Sequence, residues 1–206
     1  MSRTRRSAWS VASGLVFTIL TVSAELLATP WILYWLGSER FGTYKVLIDW
    51  MAYLSLLELG LGGALMACLA PKIAQGNISA VRGFLNAGLH DYLWVTLAML
   101  LGGVGLVIAL PYVIPPEAVG SHELRTAGLI YLLPFLLTPL FAFRWLAEAR
   151  QRHYLFSLLL TMQIVLTTGL WFAAAWAGWG LPGQSLASAV GQVPMLLILM
   201  WDGRRT

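Results

Sequence analysis

The chain has 206 residues, of which 59% are hydrophobic and 11% are charged, and its formal net charge is +4. Its mean hydropathy of +0.75 excludes an ordinary soluble protein of one or two domains. The basic residues lie at the ends of apolar segments, where they set membrane topology, so the basic isoelectric point is no sign of nucleic-acid binding. We therefore predict an all-α integral membrane protein.

Six segments are long and apolar enough to span a membrane, which takes about 20 mostly apolar residues. They are residues 9–36, 44–70, 92–114, 126–146, 155–178 and 183–201. With a cytoplasmic N-terminus, most lysines and arginines fall on the cytoplasmic side, and this predicts that both termini are cytoplasmic in a cell's inner membrane. The inner residues are Arg3, Arg5, Arg6, Lys72, Arg82, Arg144, Arg150, Arg152, Arg204 and Arg205, and the outer ones are Arg40, Lys45 and Arg125.

The first apolar segment follows three arginines, an arrangement that is also typical of a signal peptide, with a candidate cleavage site at Ala24. The apolar run continues to Leu36, and cleavage would leave a stub too short to span, so we favour a retained helix. This helix carries Glu25 near its middle. Pro30 follows about one turn later and is predicted to kink the helix, because proline removes a backbone hydrogen bond.

The second segment carries two acids at different depths. Counted from Tyr44 at 1.5 Å per residue, Asp49 lies about 8 Å deep, near the outer interface, whereas Glu58 lies about 21 Å deep. Glu25 and Glu58 have similar predicted depths, so the two can face one cavity. Asp49 lies about 180° from Glu58 around a straight helix, and we assign it to the interface. Glu25 and Glu58 are therefore the candidate proton or cation sites, since a carboxylate at mid-span costs about 2.5–3.5 kcal/mol.

Residues 77–91 show apolar side chains at spacings of three or four, with Arg82 and Asn86 on the other side. This pattern predicts a helix on the inner membrane surface. The alternative is a simple cytoplasmic extension of the third span.

The fourth segment contains two prolines, Pro134 and Pro139, within five residues of each other. They predict breaks in the helix, which line a cavity, act as bending points or are static kinks. After this segment, Arg144, Arg150 and Arg152 are predicted to contact lipid headgroups at the cytoplasmic surface.

We find no phosphate-binding glycine loop, no histidine and cysteine cluster, and no nucleophile beside a base at a recognisable spacing. An enzyme is therefore not expected, and neither a cofactor nor a metal site is predicted. The chain has a single cysteine, which rules out a disulfide within one chain.

Two runs in the first third of the chain carry a resemblance. They are the run P-x-x-L-x-x-L-G-x-x-x-F-G-x-Y (Pro30 to Tyr44) and the run Y-L-x-L-L-E-L-G-L (Tyr53 to Leu61). Together with the exit Pro-Lys-Ile-Ala-x-Gly-Asn and the later loop ARQRHY, they resemble the start of polysaccharide and O-antigen flippases of the multidrug/oligosaccharidyl-lipid/polysaccharide exporter superfamily. The resemblance implies translocation of a lipid-linked saccharide by alternating access, and Glu58 matches an acid often found before the Leu-Gly of that family.

The family has two six-helix lobes, whereas this chain matches only the N-terminal one. The resemblance thus implies a second lobe, supplied by another copy or by a separate chain, unless the chain is a truncated product. Two alternatives stay open beside the flippase. One is the lobe of a cation-coupled multidrug antiporter, and the other is a non-transporting membrane subunit or remnant.

Overall fold

Helices form nearly all of the chain in the computed structural model, which describes residues 3–114, 119–150 and 153–204. The all-α prediction is confirmed for these residues, which contain no strand. Two 3-10 helices, Tyr53–Glu58 and Leu133–Leu140, interrupt the α-helical sequence. The α-helices are α1 (Arg3–Leu36), α2 (Ser38–Ala52), α3 (Leu61–Ala74), α4 (Ile78–Val113), α5 (Ser121–Tyr131), α6 (Phe141–Ala149), α7 (His153–Trp176) and α8 (Gly180–Arg204).

The described residues contain four helical segments long and apolar enough to cross a membrane, or five if the bent pair Ser38–Glu58 and Leu61–Ala74 counts as one span. The other four are Ile78–Val113, Ser121–Ala149, Phe156–Trp176 and Gly180–Gly203. These segments indicate a multi-pass membrane protein, and they coincide with predicted spans two to six. The first predicted span lies within α1, where many side chains lie outside the described residues.

Helix α8 lies at the centre of the packing. It makes its most extensive contacts with α7 and α5 and also touches α2, α6 and the 3-10 helix Leu133–Leu140. Helix α1 packs mainly on α7, while α4 packs on the same 3-10 helix, on α3 and on α5. Small residues permit some of these approaches: a Cβ at Gly88 of α4 would collide with Leu65 of α3.

The turns between helices gather at two ends of the bundle. At one end, called here the Glu123 end, Glu123 of α5 bonds Arg40 of α2 and the backbone of Leu181 of α8. At the other end, called the Lys72 end, Lys72 near the end of α3 lies beside the start of α4, the end of α6 and Gly203 of α8. Successive connections therefore alternate between the ends, as in an antiparallel bundle.

Residues 78–91 are not a separate helix. They form the first part of α4, which runs unbroken from Ile78 to Val113. Asn77 caps this helix, because its side-chain oxygen accepts a hydrogen bond from the backbone N–H of Ala80 at 3.0 Å. The unbroken helix fits the alternative, an extension of the third span, while the position of residues 78–91 relative to the inner membrane surface stays a prediction.

The outward surface of the bundle is apolar. Leu59 is 90% exposed, Leu27 71% and Leu101 67%, and they are accompanied by exposed leucine, valine and tryptophan side chains on most of the other helices. A soluble monomer rarely exposes so much contiguous apolar surface, whereas a protein surrounded by lipid does.

Candidate functional site

The second span is broken near its middle. The chain tightens into the 3-10 helix Tyr53–Glu58, and then Leu59 and Gly60 both take left-handed conformations, with φ of 48° and 78°. A left-handed conformation is easy for glycine but costs a leucine about 1–2 kcal/mol, so the backbone is strained at Leu59. The two halves of the span meet at a bend of 43°, and Glu58 is the last helical residue before it.

Glu58 is bonded directly to a side chain of one other span and, through it, to a side chain of a third span. The hydroxyl of Tyr92, on α4, donates a hydrogen bond of 2.5 Å to Glu58 Oε1. Trp145 of α6 in turn donates from Nε1 to the Tyr92 oxygen at 2.7 Å. The carboxylate is half-buried, whereas Tyr92 is fully buried. Three spans are thus joined by one short polar chain, called here the Glu58 triad (Glu58, Tyr92 and Trp145).

The indole of Trp145 is fitted against a glycine of the broken span. A Cβ at Gly62 would overlap the six-membered ring and the nitrogen of that indole, whereas one at Gly63 would meet no atom within 4 Å. Gly62 therefore permits the close approach of α3 and α6 that brings Trp145 to Tyr92.

A cation lies beside the triad but is paired with another acid. Arg144 Nε donates to Glu148 Oε1 at 3.2 Å, one helical turn further along α6. Its guanidinium group also lies 4.8 Å from the ring centroid of Trp145 and 4.5 Å from that of Phe156, which are cation–π distances. The Arg144 side chain is 32% exposed, and its predicted contact with lipid headgroups stays a prediction.

The two prolines of the fourth span lie in the 3-10 helix Leu133–Leu140, between α5 and α6. Each proline lacks a backbone N–H, and the tighter 3-10 turn accommodates this loss within the span. The segment packs against α4 and α8, and Thr138 within it is buried and points its hydroxyl toward the sulfur of Met99 at 3.9 Å. Two of the spans are therefore irregular near their middles.

The remaining predicted site residues outside the fourth span and the triad are Glu25, Pro30, Arg150 and Arg152. The side chain of Glu25 and the whole of Arg152 lie outside the described residues, so the predicted Glu25–Glu58 pair stays a prediction. Pro30 is exposed and lies inside α1, which is one helix from Arg3 to Leu36. Asp49 is exposed, and Arg150 lines a cavity at the Lys72 end.

A second buried polar group lies between α2, α7 and α8. Ser188 Oγ lies 2.8 Å from the Tyr44 hydroxyl and accepts a bond from Trp171 Nε1 at 2.9 Å. Gln184 is fully buried; its amide nitrogen donates to the Trp171 carbonyl oxygen, while its Oε1 has no partner in the described part of the chain. These contacts join the three helices near the Glu123 end.

Sequence reasoning missed two of the three members of the triad and the break beside them. The apolar pattern predicts an unbroken second span over residues 44–70, although a glycine after an apolar helix, such as Gly60, is also a termination signal. Tyr92 and Trp145 lie in predicted apolar segments and carry no charge that would single them out. No local pattern pairs them, because they are 53 residues apart.

Among the described residues, no three histidine, cysteine, aspartate or glutamate side chains are grouped to hold a metal ion. In comparisons with known proteins, no family model, no curated protein and no solved structure matches this chain.

Proposed function

We propose that this chain is one lobe of a membrane transporter that moves a lipid-linked saccharide across the inner membrane by alternating access. In this proposal the lobe has six spans and both termini in the cytoplasm. The saccharide is taken from the resemblance of the Pro30 to Leu61 region to polysaccharide flippases. The observation that carries the transport role is Glu58, a half-buried carboxylate at the break of a span. It accepts a hydrogen bond from Tyr92 of a second span, and the Tyr92 oxygen in turn accepts one from Trp145 of a third span.

A carboxylate in the middle of a membrane span raises the free energy of insertion, so its presence there points to a function. At the centre of a span its insertion costs about 2.5–3.5 kcal/mol, and a tyrosine hydroxyl offsets only part of that. Broken helices at membrane depth are tolerated where they are buried in protein or line a cavity, and in transporters they carry the substrate or ion sites. Glu58 combines both features, and a proton or cation is the ligand that a single carboxylate suits.

A second lobe belongs to the working unit in this proposal. Transporters built from repeats bind their substrate at the interface between the repeats, and one lobe has only half of that interface. A second copy of this chain in the same orientation, or a separate six-helix chain, would complete it.

The test is the substitution Glu58→Gln in cells whose only form of this protein is the variant. Asp49→Asn, on the same span, is the matched control. Glutamine retains an oxygen that accepts from Tyr92 but cannot exchange a proton. We expect surface polysaccharide to fall at least about tenfold with Glu58→Gln, with its lipid-linked precursor accumulating, and no change with Asp49→Asn. Unchanged export at normal membrane levels of the variant would refute a coupling role for Glu58.

The second candidate is the lobe of a cation-coupled multidrug antiporter. It is favoured by one observation: the nearby cation, Arg144, is paired with Glu148, so the triad has an acid without an opposing base. This candidate predicts that Glu58→Gln abolishes resistance to cationic drugs while surface polysaccharide is unchanged. A strain that loses the chain without changing either property would leave only the role of a non-transporting membrane subunit.

A further inference from the structure

A cavity of about 360 Å³ opens at the Lys72 end of the bundle, away from the Glu58 triad. Its walls come from the end of α3, the first turns of α4, the end of α6 and Gly203 of α8. The volume lies within the range of small-molecule sites in proteins.

The wall of this cavity has two chemically different parts. Three cationic side chains line it: Lys72, Arg82 and Arg150. The remainder is largely apolar and includes Val81, Leu85, Leu89, Phe143 and Leu146. No aspartate or glutamate side chain is among the lining residues, so the cavity carries an excess positive charge.

Two of the cations, Lys72 and Arg82, have no partner of opposite charge among the described residues. Neither Lys72 nor Arg82 forms an ion pair or a side-chain hydrogen bond with any other residue that the structure describes. The apolar wall is part of the packed interior, because the Leu146 side chain is only 1% exposed and that of Val81 only 8% exposed. Water hydrates the cations but leaves the apolar wall exposed. An amphiphile with an anionic head would pair with the cations and also cover the apolar wall.

We propose that this cavity binds an anionic membrane lipid, with the headgroup phosphate between Lys72 and Arg82 and part of an acyl chain along Leu85 and Phe143. A guanidinium group binds phosphate through two parallel hydrogen bonds, and lysine contributes a point charge. The apolar wall selects a lipid over a soluble phosphate. By the charge distribution along the chain this end faces the cytoplasm, where the anionic leaflet supplies such lipids. The inference does not depend on the transport role of Glu58.

The experiment measures lipid retained by the purified full chain. The protein in detergent is given equal amounts of phosphatidylglycerol and phosphatidylcholine, and bound lipid is counted by native mass spectrometry. Each lysine or arginine near a membrane surface raises affinity for anionic lipid about fivefold, so two should give a preference of about 25-fold. The double variant Lys72→Gln with Arg82→Gln should lose it, and the control Arg125→Gln, an exposed arginine near the Glu123 end, should retain it.

A second variant separates lipid binding from a fault in folding. Leu85→Trp fills the cavity while both cations stay, and it should lower phosphatidylglycerol retention by a similar factor. Equal retention of the two lipids by the unmodified chain, or an unchanged preference in both variants, would overturn the proposal. Displacement of the lipid by millimolar inorganic phosphate would also overturn it, because the site would then recognise a soluble anion.

Discussion

Tyr92 and Glu58, 34 residues apart in the sequence, are joined by a hydrogen bond of 2.5 Å from the phenol to the carboxylate, directly before the break in the second span. The same phenol oxygen accepts the N–H of Trp145. Tyr92 therefore connects the broken second span to α6. Substitutions of Tyr92 and of the residues around it test how much these contacts stabilise the structure at the break.

Removing the phenol oxygen should destabilise the bundle. Tyr92→Phe deprives Glu58 of a donor and leaves the N–H of Trp145 without its acceptor, and each loss of this kind costs about 1–3 kcal/mol. We expect a lower temperature of thermal unfolding in detergent, measured by tryptophan fluorescence. Tyr53→Phe is the control, because Tyr53 is 66% exposed. An equal effect of the two substitutions would show that the triad contributes nothing to stability.

Two adjacent glycines, Gly62 and Gly63, should respond differently to substitution by alanine. Gly62→Ala places a methyl group into the indole of Trp145 and forces α3 and α6 apart, which costs about 1–3 kcal/mol in a packed interior. Gly63→Ala meets open space and should leave the unfolding temperature unchanged or slightly higher. The two variants have the same amino-acid composition, so the difference between their unfolding curves reports on the contact between residue 62 and Trp145. Equal stability would mean that Trp145 has room to move.

The two contacts of Glu123 should contribute unequally to the free energy of unfolding. Its ion pair with Arg40 is 3.4 Å long and Arg40 is 52% exposed, so Arg40→Ala should cost less than about 1 kcal/mol. The bond from the N–H of Leu181 is 3.0 Å long and holds the start of α8. Glu123→Ala loses both and should cost about 1–3 kcal/mol. The unfolding temperatures of the two single variants and of the double variant measure this difference in stability. Equal effects of Arg40→Ala and Glu123→Ala would contradict the prediction.

Helix α4 should place its two flanks on opposite sides of the membrane. Its 36 residues extend about 54 Å, more than the roughly 30 Å of hydrocarbon. In a Cys68→Ala background, Ser121→Cys should react with a membrane-impermeant maleimide in intact cells, whereas Ser79→Cys should react only after permeabilisation. Both serines are exposed, so access depends on the membrane alone. Reaction of both cysteines from the same side would exclude α4 as a span.

Some features of the site followed from local sequence. The irregular stretch of the fourth span follows from Pro134 and Pro139, because the missing N–H of proline acts on its own turn of helix. Glu58 was singled out because an acid in an apolar segment carries a cost that does not depend on its neighbours. The break beside it was not predicted, since leucine rarely takes a left-handed conformation and Leu59 therefore gives no local signal of one.

The sequence by itself determined the class of this protein. Apolar length and composition predict where helices lie in a membrane, because the cost of exposing backbone and polar groups to lipid adds up residue by residue. Only the tertiary structure decided which side chains meet. The rotation of each helix about its axis sets whether Tyr92 faces Glu58 or lipid and whether Lys72 and Arg82 share one cavity. That rotation is set by packing among residues far apart in the chain, such as Gly62 against Trp145.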